Sequence, residues 1–335
     1  LSNWEQAPVL ISRESNYITL HRALYGPSTI TDDPSPGPID ISAVSASYKI
    51  IDHLTEAVIA PHSLAFTSDG THFLAGSKNQ ISLFDLNYTD EPVHKQRTIP
   101  SARNNLKGGG VGFKGTVSAL GMACSSNMFA AGTWEGHVGL YRAVEGAIEA
   151  ITHFPLPRKY RWFSREDAHT QALRGSGVTQ LKFSPCEKYL YIAERKSDAI
   201  AVYDVRNMSI GLGHCAGRKA LTNQKFGFDI YPTGSGHEIW AGGIDGAVRV
   251  WKDPHCQEGA IEPDYCLSLD QGPVVSTIIH PCGNLTITAT GSIEVEDPEE
   301  DDFVRTNEIY PKYRTQGSLN MFELGTGTDQ AVLQE

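Results

Sequence analysis

Six stretches decide the fold: Ile18-Thr-Leu-His21, Ile81-Ser-Leu-Phe84, Val138-Gly-Leu-Tyr141, Ile200-Ala-Val-Tyr203, Val248-Arg-Val-Trp251 and Leu319-Asn-Met-Phe322. In each, two aliphatic residues flank a third residue and an aromatic usually follows, the alternation of a half-buried strand. Working outward, five of the six are preceded by a run of similar character, beginning at His62, Val117, Val178, Phe226 and Val275 and closing in a polar or glycine-containing turn. Between run and motif lies another such segment, at Thr71, Phe129, Tyr189, Glu238 and Leu285, with a counterpart at Pro8. Strand, tight turn, strand, small-residue turn, strand and a looser fourth segment is the order of a WD-type propeller blade. The expected fold is all-β, a WD40-type β-propeller forming a single domain over residues 1–335.

The repeats place a partial first blade at 8–50 and further blades at about 51–100, 115–157, 177–216, 223–269 and 273–335. Their third strands lie about 60 residues apart, above the ~40–45 usual for such repeats. The surplus is assigned to inserted loops at 101–115, 158–176 and 293–316. Glycine and serine after the middle strands fit backbones that converge too closely for larger side chains. Only Leu1 to Ala7 stands where the first blade needs its innermost strand, so about five and a half blades are present. An open wedge leaves strand edges unpaired, so seven blades are expected, about one and a half of them absent from this numbering. A closed six-bladed ring, or strands supplied by another chain, is the alternative.

Acidic residues number 39 against 28 basic ones, and the net charge of −11 disfavours nonspecific coating of nucleic acid. Any RNA site must be a local patch. The six cysteines, Cys124, Cys186, Cys215, Cys256, Cys266 and Cys282, contain no C-x-x-C pair and suggest reduced thiols. No apolar run approaches the ~20 residues of a bilayer span, and no membrane association is expected. H-E-x-x-H and G-x-S-x-G are absent, and no catalytic role, cofactor or metal site is expected. His53, His62, His214 and His237 read as structural. Lys107-Gly-Gly-Gly-Val-Gly-Phe-Lys-Gly115 lacks the lysine and hydroxyl of a phosphate-binding loop and reads as a flexible connector. Glu294 to Asp302 reads as a solvated acidic loop.

Asp52-His-Leu-Thr-Glu56, Ala60 to Gly70 and Leu221-Thr-Asn-Gln-Lys-Phe-Gly-Phe-Asp229 resemble the telomerase Cajal-body WD-repeat protein family. The match continues through Pro232-Thr-Gly234, Gly246, Val248 to Trp251, Ile279-His-Pro281 and Thr288-Ala-Thr-Gly-Ser292, covering Val9 to about Leu324. The resemblance is to a distant, fungal-type member. It implies a noncatalytic nuclear factor that assembles or localises ribonucleoproteins by binding small Cajal-body RNA or telomerase RNA. A fungal branch of the family is linked instead to splicing, so a protein-only scaffold for spliceosome assembly is the alternative. The implied partners are small noncoding RNA, ribonucleoprotein or spliceosomal proteins, and cytosolic chaperonin for folding. A monomer is expected in the nucleus, in Cajal bodies or nucleoplasm, with some in the cytoplasm.

Two loop sets hold the candidate site residues. Arg158, Lys159, Tyr160, Arg161, Trp162, Phe163 and Arg165 interleave cations with aromatics, as phosphate neutralisation and stacking of unpaired bases require. Anchoring of the loop by Trp162 and Phe163, with the cations merely solvated, is the other reading. Arg195 and Lys196 fall in the turn of the next blade, and Arg174 and Lys225 extend the same basic arc. Glu194 or Asp198 could instead neutralise those cations. Lys78, Trp134 and Arg13 occupy the corresponding turns of other blades, and Lys78 with Trp134 suits protein binding.

Overall fold

The computed structural model describes residues 9–22, 24–25, 39–52, 55–99, 112–144, 146–157, 172–269, 272–296 and 312–324. The protein is all-β and built of WD40-type propeller blades, and its described strands form six blade sheets in chain order. Five of the motifs lie in the third strand of their sheets, Gln80–Asp85, His137–Val144, Ile200–Asp204, Ala247–Lys252 and Lys312–Glu323, and the sixth in Tyr17–Arg22, the middle strand of the three described in the first sheet. All neighbours within a blade pair antiparallel, and a parallel segment, Gly259–Ile261, adds to the outer edge of the fourth sheet at Gly213–Cys215.

The chain divides into two compact units, residues 1–155 and 156–335. In the first, the three sheets bury two apolar clusters. One joins Ile18, Leu20 and Tyr48 to Phe73 and Phe84; the other joins Leu74 and Ile81 to Val117, Phe129 and Tyr141. The apolar face of each third strand therefore meets the neighbouring blade, as the alternation requires. A Cβ at Gly76 would collide with Val117 of the next sheet, which explains the small residue there.

In the second unit one apolar cluster centres on Trp251, which is fully buried among Tyr191, Ile200, Phe228 and Ile261. Its indole N–H donates to the Ile261 carbonyl at 3.1 Å, so the ring leaves no polar atom unpaired. Gly242 repeats the role of Gly76, since a Cβ there would meet Val274 of the following sheet.

The ends of two inserted stretches are more ordered than their sequences suggest. Phe113, inside the glycine-rich connector, is buried and stacks beside His137, while its backbone N–H donates to Thr98 at 2.8 Å. One aromatic among glycines is enough to anchor that end. The ladder of Leu285–Glu296 with Lys312–Glu323 continues to Glu296 opposite Lys312, so both flanks of the acidic stretch are strand. Alternating β-branched residues at Ile293 and Val295 favour that extension. The first and last sheets each show three strands among the described residues. The six sheets correspond to the partial first blade and the five further blades read from the sequence.

Candidate functional site

The turn between the second and third strands recurs with one backbone shape. Ser15, Asn79, Gly136, Lys196 and Gly246 all take positive φ there, between 52° and 78°. Glycine and asparagine accept this conformation easily, whereas a lysine in it costs roughly 1–2 kcal/mol. Lys196 is fixed nevertheless, because its backbone N–H donates to the Thr222 carbonyl at 2.9 Å.

That bond brings together residues distant in sequence. Lys196, Arg174, Asp198, His214 and Leu221 line one open cavity of about 250 Å³ in the second unit. Lys225 stands near Arg195: partial burial first, and the Arg195 cation second, pull its ammonium below the ordinary value. Arg218 lies beneath, 1% exposed, its guanidinium donating to the Phe226 carbonyl at 2.6 Å and that of Gly227 at 3.3 Å. Burial lowers its pKa to about 10, which leaves it a cation at neutral pH. The Asp198 carboxylate accepts the Ala220 backbone N–H, and Glu194, 7% exposed, accepts that of Gly177. These two acids therefore do structural work for the turn.

Arg195, Lys196 and Lys225 thus converge, with Arg174 added. Arg158, Lys159, Tyr160, Arg161, Trp162, Phe163 and Arg165 lie outside the described residues. The described residues on either side of them end nearby: Leu156, Pro157 and Leu173 line a small cleft with Glu194 and Ser197, and Ala172 and Arg174 border the larger cavity. In the first unit, Lys78 pairs with Thr116 in an isolated bridge, and the Trp134 backbone N–H donates to the Thr116 carbonyl at 3.1 Å. Both predicted protein-binding residues thus stand on one turn surface. Trp134, 39% exposed, meets the His62 ring edge-on at 4.9 Å. Arg13 donates to the Ser15 carbonyl and serves its own turn.

Comparison with known proteins sharpens this picture. No family model matches the chain. It is 31% identical over 231 residues to the Schizosaccharomyces pombe protein named Guanine nucleotide-binding protein negative regulator 1, covering 67% of this chain and 51% of that one. It is 25% identical over 321 residues to Telomerase Cajal body protein 1 of Bos taurus, covering 91% and 53%, and 26% identical over 259 residues to the Homo sapiens protein, covering 76% and 41%. The chain is a distant member of the telomerase Cajal-body WD-repeat family. It spans about half the length of the curated relatives it matches.

The stretch that carries the family resemblance most specifically proves to be a joint between blades. Phe226 and Phe228 are buried, and the Arg218 guanidinium clamps the carbonyls of Phe226 and Gly227. The Gln180 side chain pairs with both backbone groups of Phe228, at 2.8 and 3.0 Å. Asp229 then links Lys182 of one sheet, at 2.5 Å, to the Ile279 N–H of another, at 2.9 Å. Lys225 is the one cation of this family stretch and is exposed, as are Leu221, Asn223 and Gln224. Sequence reading missed Arg218, whose role depends on carbonyls eight and nine residues away, whereas His214, read as structural, is buried against the cavity.

Proposed function

We propose that the chain is a noncatalytic RNA-binding member of its family, holding small noncoding RNA on the basic turn surface of the second unit as part of ribonucleoprotein assembly or localisation. The observation that carries this reading is that Arg174 and Lys196 line one open cavity while Arg195, next to Lys196 in the chain, lies close enough to Lys225 to depress its ammonium, in a chain of net charge −11. Like charges so placed disfavour one another, and a phosphate backbone seated among them relieves that cost. Lys196 adds to the argument by occupying a left-handed position where glycine would be easier. The names of the mammalian relatives agree with a nuclear, Cajal-body setting.

On this reading the residues from Arg158 to Arg165 contribute by their chemistry, the cations neutralising phosphates and Tyr160, Trp162 and Phe163 offering rings on which unpaired bases stack. The test is salt-dependent binding of small nuclear RNA to the chain and to the combined Arg195→Glu, Lys196→Glu, Lys225→Glu variant. Three lost phosphate contacts should flatten the single-strand salt slope by about 2 and weaken binding at low salt by about 100-fold. Equal slopes for the two proteins exclude this surface.

A second reading is specifically favoured for the first unit. Exposed Trp134 beside Lys78 suits a protein partner, and the fungal relative bears the name of a regulator of a guanine nucleotide-binding protein. A splicing or signalling scaffold built on that turn survives nuclease treatment with its partners attached. Loss of every partner after nuclease counts against it.

A further inference from the structure

The fifth sheet carries a cluster of a different chemistry at the end opposite its glycine turn. His237 opens the second strand, Asp253 follows the third, and His255 sits in the short 3-10 turn Pro254–Cys256. One potential ligand atom from each of the three lies within 4.8 Å of the others. We propose that His237, Asp253 and His255 form a binding site for a zinc-type divalent metal ion, with water in the remaining position.

Three features prepare the site. His237 is 2% exposed, and its Nε2 is 2.6 Å from the Tyr191 hydroxyl. With the Nε2 proton donated to that oxygen, Nδ1 presents its lone pair. A ligating histidine is commonly oriented in this way through its other nitrogen. Asp253 is held in place by accepting the His237 backbone N–H at 2.8 Å from a left-handed backbone, φ 44°. A Cβ at Gly236 would collide with its carboxylate, so the approach depends on that glycine. Finally, His255 Nδ1 is buried with no hydrogen-bond partner among the described residues. An unsatisfied buried nitrogen is uncommon and points to a missing partner.

The two imidazoles stack at 4.5 Å, 14° from parallel, and Tyr189 packs against His255 at 4.8 Å. An ion at ~2.0–2.1 Å in the plane of one ring would lie outside the plane of the other, so His255 must tilt out of the stack to bind. The short turn that carries it sits at the end of the strand, where such a tilt leaves the ladder intact.

The experiment uses the full chain, stripped with chelator and titrated separately with zinc chloride and cobalt(II) chloride. The expected result is one equivalent of tight zinc, a zinc-dependent rise in melting temperature, and visible cobalt bands without a thiolate charge-transfer band. His255→Gln, at the partly exposed turn, should abolish stoichiometric uptake while preserving the circular dichroism spectrum. Tyr191→Phe should weaken binding by about 10-fold through loss of the orienting hydroxyl. Cys256→Ser should bind as the parent does. Absence of stoichiometric zinc, uptake unaffected by His255→Gln, or dependence on Cys256 overturns the assignment.

Discussion

The turns of the first unit and those of the second share a backbone and differ in chemistry. Asn79, Gly136 and Lys196 all take the left-handed conformation at one position of the blade. Around the first two stand Lys78, Trp134 and His62; around the third, Arg174, Arg195 and Lys225. The sheet ladder fixes the turn's shape through its main chain, which frees the side chains to diverge. One scaffold thereby presents an aromatic surface in one unit and a cationic surface in the other.

The contrast is tested most strongly by charge reversal. The Arg195, Lys196 and Lys225 replacement should remove about 100-fold of RNA affinity at low salt, whereas Lys78→Glu should change it by less than about 3-fold. Equal losses from the two units would erase the distinction. Next in size, Trp134→Ala should weaken nuclease-resistant protein capture by about 30-fold, the scale of an aromatic hot spot, and leave RNA affinity unchanged. Partner binding that survives this change would remove Trp134 from any interface.

A smaller effect separates folding from function at one residue. Lys196→Gly relieves the left-handed strain but adds freedom to the unfolded chain, so stability by denaturant titration should stay within about 1 kcal/mol. RNA affinity should nonetheless fall. The smallest effect concerns His62, whose pKa burial first and the Arg13 charge second hold below the ordinary value. Between that value and the unfolded one the unfolded chain holds the extra proton, so stability falls as pH drops through the window. The Trp134 emission, taken as the difference from Trp134→Phe, should stay flat near pH 6.5 and quench only at lower pH. Quenching centred at or above the ordinary imidazole value would contradict this packing.

Much of the fold was legible because strand alternation is local. All six aliphatic-aromatic motifs lie in strands of the blade sheets, five of them third strands, and Gly76 and Gly242 mark close approaches between neighbouring blades. Cationic turn residues were also legible, since Lys196 and Arg195 sit at a repeat position. What escaped was convergence set by tertiary packing. Nothing near Arg218 in sequence announces that its guanidinium will reach Phe226, and the Gly-His at 236–237 gives no hint of Asp253 and His255. Phe113 escaped for the opposite reason, since its glycine surroundings obscured a single buried ring.

Ultraviolet crosslinking of the full-length protein in its own cells, with sequencing of bound RNA and mapping of the crosslinked peptides, tests the central claim most directly. RNA binding at the basic turn predicts enrichment of one class of small nuclear RNA, with crosslinks at residues 158–165, 195–196 or 225. Crosslinks confined to the turns around Lys78 and Trp134, or none above background beside nuclease-resistant protein partners, would contradict it.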